Sequence, residues 1–255
     1  MARFDRITSG GKAVGGGSLA PRSQRGNTGQ ANDFWRGGTV GPNASGGFAA
    51  VASTGLGYNY LEFRSTGILT VLSAGTFEIK SFGGGGAGWG GNGYNAFGGG
   101  GSKGAMADAT LELAVGTYTV NVGTGSNNPA SAPTNYYPAG QGGTSSITGF
   151  ATTNAVGGTN GSNPGGRSAT GATGTQVNTF IGGASLFKGA GGGNAESGIG
   201  GSGIGGNATQ NGTAGSAAGN TASGGGGAGG AGQPNLTTGN AGSGGSGIVY
   251  VRWLA

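Results

Sequence analysis

Histidine and cysteine are absent from the 255-residue chain, and only 7% of its residues are charged. Their absence excludes Ser-His and Cys-His nucleophile pairs, thiolate chemistry, disulfides and the usual zinc, haem and iron–sulfur ligand sets. It also fits synthesis in a reducing cytoplasm. Large apolar residues are scarce: Leu, Ile, Val and Phe together number 39, too few for the core of an ordinary α/β enzyme of this length. Disorder, the usual result of so little apolar content, comes with high net charge, whereas the formal net charge here is only +5. No apolar run reaches the length of a membrane span, and no hydrophobic stretch follows Met1-Ala2-Arg3-Phe4, so neither a cleaved leader nor membrane insertion is expected. What the chain has instead is glycine, 70 residues of it, about four times ordinary usage. Something other than a large core must order it.

Charge and texture divide the chain into an arm, residues 1–57, and a domain, residues 58–255. Residues 1–36 carry +4 of the +5, and no helical period runs through them. Arg3, Arg6, Arg22, Arg25 and Arg36, with the aromatic pair Phe34-Trp35, are the candidate docking residues of an extended arm held by a partner. From residue 58 short alternating segments begin: Tyr58 to Arg64, Ile68 to Ser73, Thr76 to Phe82, Leu111 to Val115, Thr117 to Val122 and Ile248 to Trp253. In the third, Phe77 and Ile79 share one face while Glu78 and Lys80 take the other, the pattern of a half-buried antiparallel strand. Single glycines at 75 and 116 between adjacent segments predict hairpins, and the last segment is expected to return to the same sheet. The fold class is all-β, a small antiparallel β-sandwich.

Between the strands lie glycine tracts, with 13 Gly in residues 83–104 and 27 in residues 182–247. A structureless 66-residue excursion between two strands of one sheet is improbable in a compact domain. Gly, Asn, Ser, Thr and Ala permit the three-residue-per-turn polyproline-II conformation, which leaves every N–H and C=O free for neighbours. Without Cβ atoms such segments approach closely and satisfy one another, so the tracts are predicted to be inserted polyglycine-type helical loops forming a bundle. In that bundle Gly226 and Gly229 are expected to face neighbouring backbone, and Ser223 to point outward. Collagen is excluded, because Gly198-Ile199-Gly200-Gly201-Ser202-Gly203 breaks any single three-residue register and Pro numbers only 7.

Chemistry-bearing motifs fail on inspection. Gly100-Gly101-Ser102-Lys103-Gly104 has the form of a nucleophile elbow, but no triad can be completed without histidine. No lysine sits in a phosphate-loop context, and calcium-binding glycine repeats would need an Asp in each unit, whereas the last Asp is Asp108. The acidic strand residues Glu62 and Glu78 stand beside Arg64 and Lys80, as solvated faces do. Twelve basic residues over the whole chain make too thin a patch for nucleic acid. No catalytic residue, metal or cofactor is expected. The remaining candidates are aromatic: Trp89, Tyr94 and Phe97 in the first glycine tract and Tyr136-Tyr137 in a later loop. At loop tips they would make a sugar- or protein-binding surface; turned inward they would cap the core.

The succession Tyr58-Asn59-Tyr60-Leu61-Glu62-Phe63, Ala74-Gly75-Thr76-Phe77-Glu78, a glycine block, Ala114-Val115-Gly116-Thr117-Tyr118-Thr119-Val120, more glycine and a closing Gly247-Ile248-Val249-Tyr250-Val251-Arg252-Trp253 resembles the glycine-rich domain of tailed-bacteriophage virion proteins. The resemblance covers about residues 58–253. It implies a β-sandwich with polyglycine-type helices projecting from its loops, and a place on the virion exterior after assembly in the host cytoplasm. It further implies a multimeric setting in which the arm meets other virion proteins and the loops meet a host surface glycan or protein, as in a tail fibre or tail tip. Capsid decoration is the alternative within the virion. An ice-binding module is the alternative outside it, although the Thr residues are scattered and form no regular file.

Overall fold

The structure, a computed structural model, describes residues 41–90, 98–127, 140–161, 169–194, 197–209, 213–225 and 240–255. The domain within it begins at Pro42. Two antiparallel sheets of five strands each form it. The first has the order β1 (Asn43–Gly46), β4 (Gly67–Ser73), β7 (Gly116–Asn121), β8 (Ser145–Ile147) and β9 (Phe150–Ala155). The second has the order β2 (Ala52–Ser53), β3 (Tyr58–Phe63), β12 (Ile248–Leu254), β5 (Gly75–Phe82) and β6 (Met106–Leu113). All six strands expected from alternation are present, and the last lies in mid-sheet between β3 and β5. Two strands, β1 and β2, fall in the stretch that composition assigned to the arm.

The inner faces meet over one core. Leu69, Val71, Val120 and Ile147 of the first sheet pack on Leu61, Phe63, Phe77, Ile79, Val249, Val251 and Trp253 of the second. Phe77 and Trp253 lie with ring centroids 5.6 Å apart, within the range of favourable tilted aromatic pairs.

The expected glycine hairpins do not form. β4 and β5 lie in different sheets, as do β6 and β7, so Ala74 and the 114–115 pair carry the chain across the sandwich. Gly75 sits at one such corner with φ of +153°, and a Cβ there would stand 2.7 Å from Pro42 Cγ. One glycine between two alternating runs signals a reversal of direction equally well within a sheet and between sheets. Only the partners distinguish the two.

The outer face of the second sheet is covered by a short excursion made of β10 (Thr175–Gln176), α1 (Asn178–Ile181) and β11 (Phe187–Lys188). Val177 and Phe180 pack on Phe82, Ile248 and Tyr250. β12 is therefore buried on both faces and reads as a continuous apolar run. Arg252 fastens the excursion: its guanidinium lies 4.1 Å from the Phe180 ring centroid and 4.2 Å from that of Tyr58, donates to Phe180 O at 2.7 Å, and pairs with Glu78 at 2.7 Å. Lys80 pairs with Asp108, so the side-by-side Glu78 and Lys80 find partners on neighbouring strands and not in each other. Glu62 and Arg64 do pair, at 3.0 Å.

Lys188 is buried against this face, and its Nζ donates to Asn220 O at 2.8 Å. Burial lowers its pKa from the usual 10.5. Between the lowered value and 10.5 this group binds fewer protons in the folded chain than in the unfolded chain, so Lys188 contributes a rise of stability with pH across that window, against which the buried Tyr250 hydroxyl, its pKa raised by burial, contributes a fall as pH approaches 10. Lys188→Met should abolish the rise, because its remaining effect, an Asn220 carbonyl without its donor, does not titrate. Urea unfolding at pH 7 and pH 10 measures the two slopes, and parallel slopes would show that the burial is without consequence.

Candidate functional site

The glycine tracts are an ordered lattice. Residues 83–90 continue from β5, and their amides take new partners in strict rotation. Gly83, Gly86 and Trp89 donate to Ala105, Ser102 and Gly99; Gly84 and Ala87 donate to Gly143 and Gly140; Gly85 and Gly88 donate to Gly245 and Gly242. The carbonyls rotate likewise, Gly84 and Ala87 accepting from Gly158 and Gly161, Gly85 from Ser126 and Gly86 from Gly225. A partner that recurs every third residue is the signature of a threefold helix. Three neighbours receive and three donate, so residues 83–90 form the axis of a hexagonal array.

The six neighbours also close on one another. Segment 98–105 bonds to 156–161 through Ser102 N to Thr159 O, and 156–161 to 140–144 through Gly142 N to Gly158 O. Next come Gly143 N to Thr124 O, Gly244 N to Ser126 O and Gly245 N to Ser223 O. Gly101 N to Gly225 O completes the circuit. Outside this ring, segment 189–194 is a second axis, donating to Ala172, Gly101 and Gly206 from successive amides.

Side chains are excluded where the segments meet. A Cβ on Gly84, Gly85 or Gly86 would stand 1.9–2.0 Å from a backbone oxygen. Ala87, also fully buried, makes the longest of the axial bonds, 3.4 Å to Gly140 O. Ser223 is buried and not outward: its Oγ accepts from Ala190 N at 3.0 Å and donates to Thr221 O at 3.3 Å, so the hydroxyl replaces a backbone partner. Ser102, the serine of the elbow-like stretch, bonds to Thr159 O through both its amide and its Oγ and belongs to the ring. Gly226 and Gly229 lie outside the described residues.

Geometry gives the lattice a direction. The axis and five of its six neighbours are spliced to β5, β6, β7, β8, β9 and β12 at one end of the sandwich, where Phe82 faces both Met106 and Ile248. Their other ends therefore stand together, away from the sheets, and this grouping is the candidate site. Trp89 is at that end, half-buried, with its amide bonded to Gly99 O. Tyr94, Phe97, Tyr136 and Tyr137 lie outside the described residues, as do Arg3, Arg6, Arg22, Arg25, Phe34, Trp35 and Arg36. Among the described residues no group of three or more acidic side chains is placed to hold a metal ion. No helix among them is long and apolar enough to cross a membrane.

A comparison with curated proteins finds no match. The family model described as a glycine-rich domain matches residues 64–254, about three quarters of the chain. That stretch holds all but three strands of the sandwich and every segment of the lattice. The chain thus belongs to the glycine-rich domain family.

Proposed function

We propose that the protein is a non-enzymatic structural subunit on the exterior of a tailed-phage virion, a tail-fibre or tail-tip component that meets the host surface. The observation that carries this reading is the one-ended lattice, in which seven mutually bonded segments, six of them spliced to strands at one end of the sandwich, bring their far ends together away from the sheets. Recognition residues placed on a backbone-ordered scaffold lose little conformational freedom on binding. Trp89 and the sequence-adjacent aromatics are suited to stack on a glycan ring or an apolar protein patch. The likeness of the strand pattern to phage virion proteins supports the setting, and the +4 of residues 1–36 supports an acidic or polar partner at the mounting side.

Antibody labelling of purified particles tests it. Label at the tail tip is the expected result, and label over the head would move the assignment to capsid decoration. Particles that lack the protein would overturn the virion reading.

A further inference from the structure

Charge is confined to one side of the domain. Among the described residues every charged side chain stands on the second sheet, on the turn that follows β3, on segment 98–105 or in the excursion. The first sheet carries none, and neither do the three ring segments spliced to it, 123–127, 140–144 and 156–161. These segments adjoin β7, β8 and β9 and are bonded to one another in the order in which those strands lie in the sheet. Sheet and lattice therefore share one unbroken flank.

The groups on this flank are of one kind. On the sheet its outward positions are Thr117, Thr119 and Asn121 of β7 and Ser146 of β8, followed by Thr148 in the turn to β9. On each ring segment the exposed residues stand three apart, as a threefold helix requires: Thr124 and Asn127, Gln141 and Thr144, Val156 and Thr159. At the centre the groups are already oriented, because Asn121 Nδ2 donates to Ser146 Oγ at 3.3 Å and to Thr148 Oγ1 at 3.1 Å. Among the described residues neither hydroxyl has an acceptor for its own hydrogen, and Asn121 Oδ1 has no donor. The row thus offers two donors and one acceptor to a ligand.

Ligand classes separate on these observations. Nucleic acid and anionic membrane call for Lys or Arg, and a cationic ligand calls for carboxylates. A protein partner calls for aromatic or arginine anchors in an apolar centre, whereas the flank has one large exposed aliphatic, Val156, with Ile68 of β4 at its border opposite Thr119. What fits is a ligand that is itself uncharged and rich in hydroxyls. We infer that the flank binds a neutral polysaccharide, with Asn121, Ser146 and Thr148 at the centre of the site. A repeating chain meets such groups at several points at once, so individually weak bonds reinforce one another. Ladder and lattice hold the backbone beneath them, which leaves little freedom to lose on binding. The inference rests on the reading of the protein as one that meets the host surface, and it names the glycan there as uncharged.

Its test passes the purified full chain over immobilised dextran, mannan, galactan and chitin, which are neutral, and over polygalacturonate, which is anionic. Retention by at least one neutral polymer is expected, and it should not change between low and high salt, because no charge takes part. The double substitution Ser146→Ala with Thr148→Ala should weaken it at least tenfold without changing the melting temperature, and Thr144→Glu should do the same. Trp89→Ala, at the far end of the lattice, should leave it unchanged. No retention by any neutral polymer, retention by polygalacturonate alone, retention that survives both flank variants, or retention lost with Trp89→Ala would each overturn the flank site. Because binding is read on the pure chain, such a failure leaves the virion assignment, which is judged on particles, untouched.

Discussion

Gly85→Ala should leave no folded domain, although it adds one methyl group. The new Cβ would lie 1.9 Å from Ser223 O and 2.3 Å from the carbonyl carbon behind it. Both are backbone atoms, so nothing can rotate away as a flexible side chain would. Relief requires the axis and segment 222–225 to separate, which breaks Gly225 N to Gly86 O. It also disturbs Gly85 N to Gly245 O and Gly245 N to Ser223 O. Buried amides left without partners cost about 1–3 kcal/mol each. Three or four together approach the whole stability of a typical domain, about 5–15 kcal/mol. Gly219→Ala is the control, since the nearest atom to its Cβ would be Ser246 Oγ at 4.0 Å. Thermal melting reads the result. A Gly85→Ala protein melting within about 4 °C of wild type, equivalent to roughly 1–2 kcal/mol, would show that the segments are not load-sharing. In the wild type, amide exchange at Gly84, Gly85 and Gly86 should be as slow as at Val249 and Val251.

Which parts of this architecture the sequence disclosed follows from the range of each signal. Strands announce themselves locally, because alternation such as Phe77, Ile79 against Glu78, Lys80 needs only a few residues. The bundle announced itself by composition, since a glycine tract between strands must satisfy its amides somewhere. Identity of neighbours is another matter: that residues 83–90 and not a later tract form the axis depends on β5 standing inside its sheet, flanked by β12 and β6. For the same reason the glycines at 75 and 116 predict hairpins where the chain turns corners between sheets, the partner being non-local. Ser223 is expected to point outward because a polar side chain usually points to water, yet it is buried. Inside a lattice whose currency is backbone hydrogen bonds, a hydroxyl fits wherever it stands in for an amide or a carbonyl. The excursion 175–188 carries no strong period of its own, and its fastening residue, Arg252, sits within an otherwise apolar strand. A lone arginine in such a strand was the signal that could have found it.

The second large effect is expected at the seam between sandwich and lattice. Ser145 opens β8 and is fully buried; its Oγ donates to Phe82 O at 2.7 Å and accepts from Gly123 N at 2.9 Å. Phe82 ends β5 in the second sheet, and Gly123 follows β7 in the first, so one hydroxyl ties the two sheets where the glycine segments leave them. Ser145→Ala removes donor and acceptor together: it takes from Phe82 O a bond additional to its ladder pairing with Ile248 and strands the Gly123 amide, where a Cβ on Gly247 would already meet that Oγ at 2.6 Å. One unpartnered buried amide costs about 1–3 kcal/mol, a fall in melting temperature of roughly 2–12 °C for a domain of this size. Ser146→Ala, which removes only a half-buried acceptor 3.3 Å from Asn121 Nδ2, should cost about 0.5 kcal/mol or less. Amide exchange then tells a seam from a local defect. If sandwich and lattice fold as one unit, Ser145→Ala accelerates exchange equally at Gly85 and at Val251, since both are then exposed only by global opening. Acceleration confined to residues next to Ser145 would mean that the lattice holds its order without the sheets, and that the hydroxyl is a local bond and not the joint between them.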